Sequence, residues 1–352
     1  MNRRGSTSAT GRKRSGFGYC GEFWEDRGES ARSLERIRNW VDRELAGLDM
    51  NDAHPMISRI ARYSLTAGGK RVRPVMLILL GSALGVRSAN LKRIAISTEL
   101  AHTASLIIDD IMDESPMRRG RTTAHVEFGK TDALSAAHYL IFKSTQFILG
   151  INARSDVRYG CLSQLCRSSI LMTDGQWCDL SPRYRAKTLS DYVSQIHKRS
   201  GQFFECGAVL CSRLAGKDRK IENILKGIGG KLGTMFQFRD DLLDYYGSGE
   251  SLGKPAFQDF RSGRYTFPIF VAMSCSPEYR NIIIKTLRKP RKTVDDARLI
   301  LWVLENSGAA SECKLIIELY ARDSKRKLRI LPPCRETEIM SDLIDYLACR
   351  VA

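Results

Sequence analysis

Two stretches limit what this chain can be more than any others. LIIDDIMDESPMRR, from Leu106 to Arg119, sets Asp109, Asp110 and Asp113 among apolar residues. FQFRDDLLDYYG, from Phe236 to Gly247, repeats the device with Asp240, Asp241 and Asp244. In an α-helix, positions i and i+4 lie one turn apart on one face, so Asp109 and Asp113 point the same way, as do Asp240 and Asp244. Carboxylates that close repel unless a positive charge lies between them. Hard oxygen ligands at this spacing suit magnesium, which keeps several waters and takes one or two carboxylates plus substrate phosphates. A single such cluster is as often a solvated acidic face. Here each copy follows an apolar run, SLII or MFQF, where unpaired charge is costly, and this favours ligands turned into a cavity.

The partners of such a site would be anions. A formal charge of +17 over 352 residues points to phosphorylated substrates, nucleic acid or a membrane surface. Aromatic residues are not interleaved with arginines as a stacking surface requires, and no nucleic-acid module is present, so a nucleic-acid partner is not expected. The ten cysteines form no CxxC pair and no Cys/His set at zinc spacing. Cys161/Cys166 and Cys206/Cys211 read as small core residues on helices, and unpatterned thiols suit a reducing compartment. No apolar run reaches the length of a membrane span. Residues 1–30 read as a basic tail. Residues 1–21 hold five Arg or Lys and no acid. A cytoplasmic enzyme is the first expectation, with a mitochondrial or plastid transit segment as the alternative.

Residues 31–352 read as one all-α domain, a helical bundle around a central cavity with the two aspartate helices facing each other. Helical periodicity predicts elements near 31–48, 55–66, 89–114, 131–152, 158–180, 190–215 and 219–246, with Pro74 starting a further helix after the Gly68–Gly69 break. Strand signals are almost absent.

Other groups belong with the aspartates. GGKRVRP offers Lys70, Arg71 and Arg73 on a loop. Arg118 and Arg119 follow the first cluster. Gly253, Lys254, Asp259, Arg261 and Arg264 surround the loop after the second. His102 lies two turns before Asp109 on the same face. Cations bind diphosphate directly, and magnesium bridges diphosphate to carboxylate.

With GGKRVRP, HTASLIIDDIMDESPMRRG, GQWCDL, IHKRSGQFF, GGKLGTMFQFRDDLLD and GKPAFQDFRSGRYTFPI, the chain from about residue 50 onward resembles the trans-isoprenyl (polyprenyl) diphosphate synthases. The resemblance implies a head-to-tail prenyltransferase joining isopentenyl diphosphate to an allylic diphosphate. It implies that Asp109 and Asp113, with Asp110, hold magnesium on the allylic diphosphate, and that Asp240 and Asp244, with Asp241, hold a further ion, three Mg2+ in all. It assigns Arg118, Ser200, Gln237 and Lys254 to the allylic diphosphate. Lys70, Arg73, His102 and Arg119 go to isopentenyl diphosphate. A homodimer is implied as well.

Product length in this family depends on residues one turn before the first aspartate. Ala104 and Ser105 are both small there, which favours an all-trans product beyond four isoprenes, as used for quinone side chains, and with it contact with a membrane surface. The alternatives are a geranylgeranyl or farnesyl diphosphate synthase, or a non-catalytic partner subunit. The intact clusters argue against the subunit. A terpene cyclase would not need DDLLD or Lys70 and Arg73. The chain departs from the family pattern in three places. His138 stands where an acid is usual, and is expected to be buried, neutral and bonded to a neighbour. Arg199 and Ser200 replace a usual lysine and threonine. Ile108 stands where long-chain members often carry histidine.

Overall fold

The computed structural model describes residues 28–181, 186–246 and 257–349. Four helices open the chain: α1 (Gly28–Ala46), α2 (Pro55–Leu65), α3 (Val72–Ala83) and α4 (Ser88–Met112). A two-residue hairpin, β1 (Met117–Arg118) and β2 (Arg121–Thr122), separates α4 from α5 (Ala124–Phe128), α6 (Lys130–Leu149) and α7 (Ser155–Leu180). Then come α8 (Leu189–Ile196), a π turn (His197–Gly201), α9 (Gln202–Leu214) and α10 (Arg219–Tyr246). The short α11 (Gln258–Arg261) leads to α12 (Phe267–Cys275), α13 (Pro277–Leu287), α14 (Val294–Asn306), α15 (Ala309–Leu328) and α16 (Arg335–Cys349). Among the described residues the hairpin holds the only strands.

The all-α expectation therefore holds, and most expected boundaries fall within three residues. Two differ for physical reasons. The helix expected over 190–215 is interrupted by the π turn. The helix expected from Pro74 starts at Val72, which leaves Pro74 in its first turn, where a missing N–H costs nothing.

Amphipathic α1 and α2 lie outside, α1 with acidic and basic residues on its outer face and α2 with Arg59. α4 and α9 are different. Sixteen of the 25 residues of α4, and every residue of α9 from Gln202 to Ser212, are buried. A helix covered all round is a central helix. α4 packs most extensively on α6, and α9 on α10. Two apolar clusters result. The larger spans α3, α4, α7, α9, α10 and the C-terminal helices. The smaller holds Val41, Leu45, Ile60 and Leu65 of α1 and α2 against Leu100, Ala104, Ala133, Ala136 and Ala137 of α4 and α6. Phe238 of α10 stacks on Phe267 of α12 with ring centroids 3.9 Å apart, a pair worth about 0.5–1.5 kcal/mol beyond its buried area.

Two side chains sit differently from expectation. His138 is exposed on α6, while its neighbour Tyr139 donates to Asp52 (2.7 Å). Of the four cysteines expected in the core, Cys161, Cys206 and Cys211 are buried, but Cys166 faces solvent because it falls on the outer face of α7.

Candidate active site

The aspartate clusters meet where the C-terminal parts of α4 and α10 border one cavity of about 420 Å3 and an adjoining cleft of similar volume. Asp113, Arg118, Arg119, Arg199, Gln237, Asp240 and Arg264 line both. The cavity is apolar toward Leu106, Ile108, Met172, Phe203 and Phe236, whereas the cleft is polar and takes in Lys70, Asp179, Tyr192, Asp241 and Asp259. A larger groove of about 970 Å3 between α15 and α16 contains none of the clustered aspartates.

Not every aspartate faces this space. Asp109 and Asp113 do, one within α4 and one capping its end. The Asp113 N–H bonds the Asp109 carbonyl (2.8 Å), and Glu114, with φ of 50°, ends the helix. Burial pushes the Asp109 carboxyl up to about 6, against the pull of Arg199 and Arg118. Asp113 accepts from Arg264 Nη2 at 2.5 Å. Asp110 points elsewhere. Its two oxygens accept from Arg118 Nε at 2.8 Å each, and Arg118 Nη2 closes the pair at 2.7 Å. That bond fixes the hairpin strand to α4 and holds Arg118 at the cavity rim. The hairpin turn itself uses Arg119 and Gly120, both at positive φ, the geometry a two-residue turn between twisted strands requires.

The second cluster divides more sharply. Asp240 lines cavity and cleft. Asp241 is buried, accepting from the Tyr192 hydroxyl, Gln237 Nε2 (2.9 Å) and the Phe267 N–H (3.0 Å). Its burial, with Asp259 nearby, pushes the carboxyl up to about 7 despite those three donors. Asp244, expected to be a metal ligand, is fully buried and borders neither space. Its carboxylate accepts from the N–H groups of Gln258 (3.3 Å) and Asp259 (3.1 Å) and so caps α11. The i, i+4 spacing put Asp240 and Asp244 on one face; the depth of that face, one turn further in, turned the second into a helix cap.

Arg261 is exposed and borders neither space, but the basic residues around GGKRVRP and the first aspartate cluster converge as expected, with one exception. Lys70 reaches the cleft, and Arg73 and His102 reach the cavity. Arg73 Nη1 lies 3.0 Å from His102 Nε2, and the guanidinium lies over the Phe204 ring, 4.9 Å from its centroid. Burial, with Arg73 beside it, pulls His102 well below the usual imidazole range and keeps it neutral. Arg119 donates to the Gly68 carbonyl and lies against Gly69, where a Cβ would come within 2.7 Å of the guanidinium carbon. Gly69 leaves room for that approach, while Gly68, with φ of 83°, supplies the backbone turn. Arg71 is the exception. It turns inward to Glu99 (2.5 Å) and Asp42 (2.8 Å), a buried ion pair joining α3, α4 and α1. Lys254 and Gly253 lie outside the described residues.

Ser200 donates to Gln237 Oε1 (3.0 Å), so the chain Ser200–Gln237–Asp241–Tyr192 runs along one wall. Arg199 bonds Asp179 (2.6 Å). Tyr192, Asp179 and Met172 were not expected here. Asp179 lies in the GQWCDL motif, but nothing in spacing alone separates a Tyr or Met facing a cavity from one in the core. Ser105 lines the cavity, whereas Ala104 is fully buried in the apolar cluster shared with α6. Its expected place on the cavity wall is therefore corrected: three alanines on α6 draw that helix close enough to cover it.

Among the described residues no three carboxylate, histidine or cysteine groups converge into a closed metal shell. The carboxylates facing the cavity are Asp109 and Asp113 on one side and Asp240 on the other, rimmed by arginines, while Asp179, Asp241 and Asp259 border the adjoining cleft. Such a set fits a hard divalent ion whose coordination is completed by water and phosphate.

Residues 54–303 match the family model for polyprenyl synthetase. A geranylgeranyl pyrophosphate synthase of Geoglobus acetivorans is 31% identical over 290 residues, 82% of this chain and 89% of that protein. An octaprenyl diphosphate synthase of Escherichia coli is 30% identical over 316 residues, 87% and 96% respectively. The crystal structure of a polyprenyl synthase from Caulobacter crescentus, complexed with calcium and isoprenyl diphosphate, superposes with a TM-score of 0.77 at 26% identity and covers 94% of this chain and 98% of that one.

Proposed function

The chain belongs to the polyprenyl synthetase family, and on that premise we propose that it extends an allylic diphosphate to an all-trans product of more than four isoprenes. It is a head-to-tail prenyltransferase. One observation carries the mechanistic reading: Asp109 and Asp113 face Asp240 across a cavity that is cationic at its rim and apolar beyond.

Asp109, Asp113 and Asp240 would hold Mg2+, with the count of three ions resting on the family resemblance. Calcium accompanies isoprenyl diphosphate in the Caulobacter enzyme. Bound there, the metal supplies charge that stabilises the departing diphosphate. The remaining work belongs to this chain. Arg118, Arg199 and Arg264 meet the allylic diphosphate, and Ser200 and Gln237 add hydrogen bonds. Lys70, Arg73 and Arg119 take isopentenyl diphosphate, with His102 holding the Arg73 guanidinium in place. Fixed cations aimed at a leaving group cost no reorganisation as its charge grows. The allylic cation forms against Leu106, Ile108 and Phe203, which offer no nucleophile. The isopentenyl double bond attacks, and a proton leaves to the released diphosphate.

Ser105, small and on the cavity wall, supports the longer product. The burial of Ala104 supports the shorter alternative, a geranylgeranyl product, since only one of the two small residues widens the cavity. A second copy of the chain covers α6 and α7, where Phe142 is 72% and Ile170 68% exposed. Incubation with isopentenyl diphosphate, Mg2+ and each allylic primer, followed by mass analysis of the dephosphorylated products, tests the reading. A ladder passing four isoprenes is expected. One ending at three or four keeps the enzyme class and overturns the length.

A further inference from the structure

We propose that Glu205 is a positioning residue for the allylic diphosphate: through His197 and Lys226 it holds the π turn that aims Arg199 and Ser200 into the cavity. The proposal rests on the reading of Arg199 and Ser200 as diphosphate contacts.

The π turn is the starting point. Helices α8 and α9 would run on as one helix, but five residues, His197–Gly201, are wound at i→i+5. The inserted residue changes the direction of every side chain after it, and such turns recur at functional sites. Arg199 and Ser200 lie inside it and line the cavity.

A wide turn is strained unless its surroundings hold it, and two helices are shaped to do so. On α7, a Cβ added to Gly175 would lie 3.0 Å from the Arg199 backbone nitrogen. On α10, one added to Gly233 would lie 2.6 Å from Gly201 Cα and 2.7 Å from the Ser200 oxygen, and one added to Gly230 only 2.4 Å from His197 Cε1. The turn is thus seated between bare backbones, with the His197 ring lying on Gly230.

Glu205 closes the arrangement. It is a carboxylate in the most buried part of α9, where an unpaired charge would not be tolerated. Its Oε2 lies 3.1 Å from His197 Nε2, the first residue of the turn, and its Oε1 lies 3.3 Å from Lys226 Nζ on α10. Burial would push the carboxyl up, yet His197 and Lys226 hold it below the usual carboxylate range. The carboxylate therefore ties the start of the turn to α10, the helix that also carries Gln237 and Asp240. Glu205 borders neither cavity nor cleft, so any effect it has on substrate passes through the turn.

The test is steady-state kinetics on Glu205→Ala, Glu205→Gln, His197→Ala and Arg199→Lys, with each of the first three also combined with Arg199→Lys. His197 is partly exposed, so its truncation is the variant most certain to fold. Expected for Glu205→Ala and His197→Ala is a rise of about tenfold in KM for the allylic diphosphate, with KM for isopentenyl diphosphate within about twofold. Glu205→Gln, which keeps an acceptor for His197, recovers most of the loss. In the Arg199→Lys background the same changes add little, because the residue they aim is already altered. A purely structural role would lower Tm and the active fraction while leaving both KM values alone, and that result overturns the proposal. If Arg199→Lys raises the allylic KM but Glu205→Ala and His197→Ala do not, the positioning role alone fails. If Arg199→Lys leaves that KM unchanged, the site assignment fails and the proposal fails with it.

Discussion

Three aspartates of one spelling do three different things here. In the second cluster Asp240 faces the cavity, Asp241 gathers three donors and Asp244 caps α11. Substituting each by asparagine should separate these roles. Asp240→Asn is expected to cut kcat by about two to three orders of magnitude with an unchanged Tm, as the loss of a group acting on the transition state does. Asp244→Asn is expected to keep kcat within about tenfold and to lower stability by about 1–2 kcal/mol, the worth of a buried cap. Full activity loss at an unchanged Tm in Asp244→Asn would return that residue to the metal site. The two small residues before Asp109 separate in the same way. Ser105→Phe should shorten the product by filling the cavity wall. Ala104→Phe should instead overpack the α4–α6 seam and cost about 1–3 kcal/mol without moving the product ladder. Equal shortening by both would place Ala104 back on the wall. From sequence, the placing of Asp109, Asp113, Asp240 and His102 at one cavity was legible because motif and helical spacing agree, and that of Arg73 from its motif alone. Asp244, Ala104 and His138 were not, because spacing gives the face of a helix and says nothing of how deep that face lies.

Elements carry their own signals. Thr293 and Asp296 form a reciprocal capping box at the start of α14, and Lys289 adds a third partner at 2.5 Å. Lys289 and the Thr293 donors hold the Asp296 carboxyl down to about 2, from an ordinary 3.8. A depressed acid stabilises the fold above its unfolded pKa and loses that contribution as pH falls through the folded one. Asp296→Asn should therefore flatten the dependence of Tm on pH between 4 and 2, while changing kcat little. An unaltered Tm profile would show the box to be energetically silent. Such a cap was encoded locally, by a Thr–x–x–Asp spacing. The π turn was not: IHKRSGQFF has helical periodicity throughout, and only the glycines of α7 and α10 that seat it make a wide turn the better solution.

At the scale of the whole molecule, the unpartnered face of α6 and α7 is the feature to test. An exposed Phe142 and Ile170 on neighbouring helices would be covered in a dimer. Phe142→Asp should shift the mass measured by light scattering from dimer toward monomer, at a burial loss of about 1.5–3 kcal/mol per copy. A wild-type chain that is monomeric at micromolar concentration, or a variant of unchanged mass, removes that face from consideration. Arg71 shows the opposite lesson. A basic residue in a motif rich in substrate cations became the buried tie between α1, α3 and α4, because Glu99 in the middle of α4 needed a partner.

Helical periodicity, paired aspartates and the GGKRVRP, GQWCDL and GGKLGTMFQF motifs were enough, by themselves, to determine the all-α class, the family and the class of reaction, since these depend on residue type and local spacing. The tertiary structure alone decided which of the six aspartates reach the cavity, that Ser105 rather than Ala104 borders it, and that a π turn aims Arg199 and Ser200. Those outcomes depend on how deep each helix face is buried and on what its neighbour presents, and no local pattern encodes either.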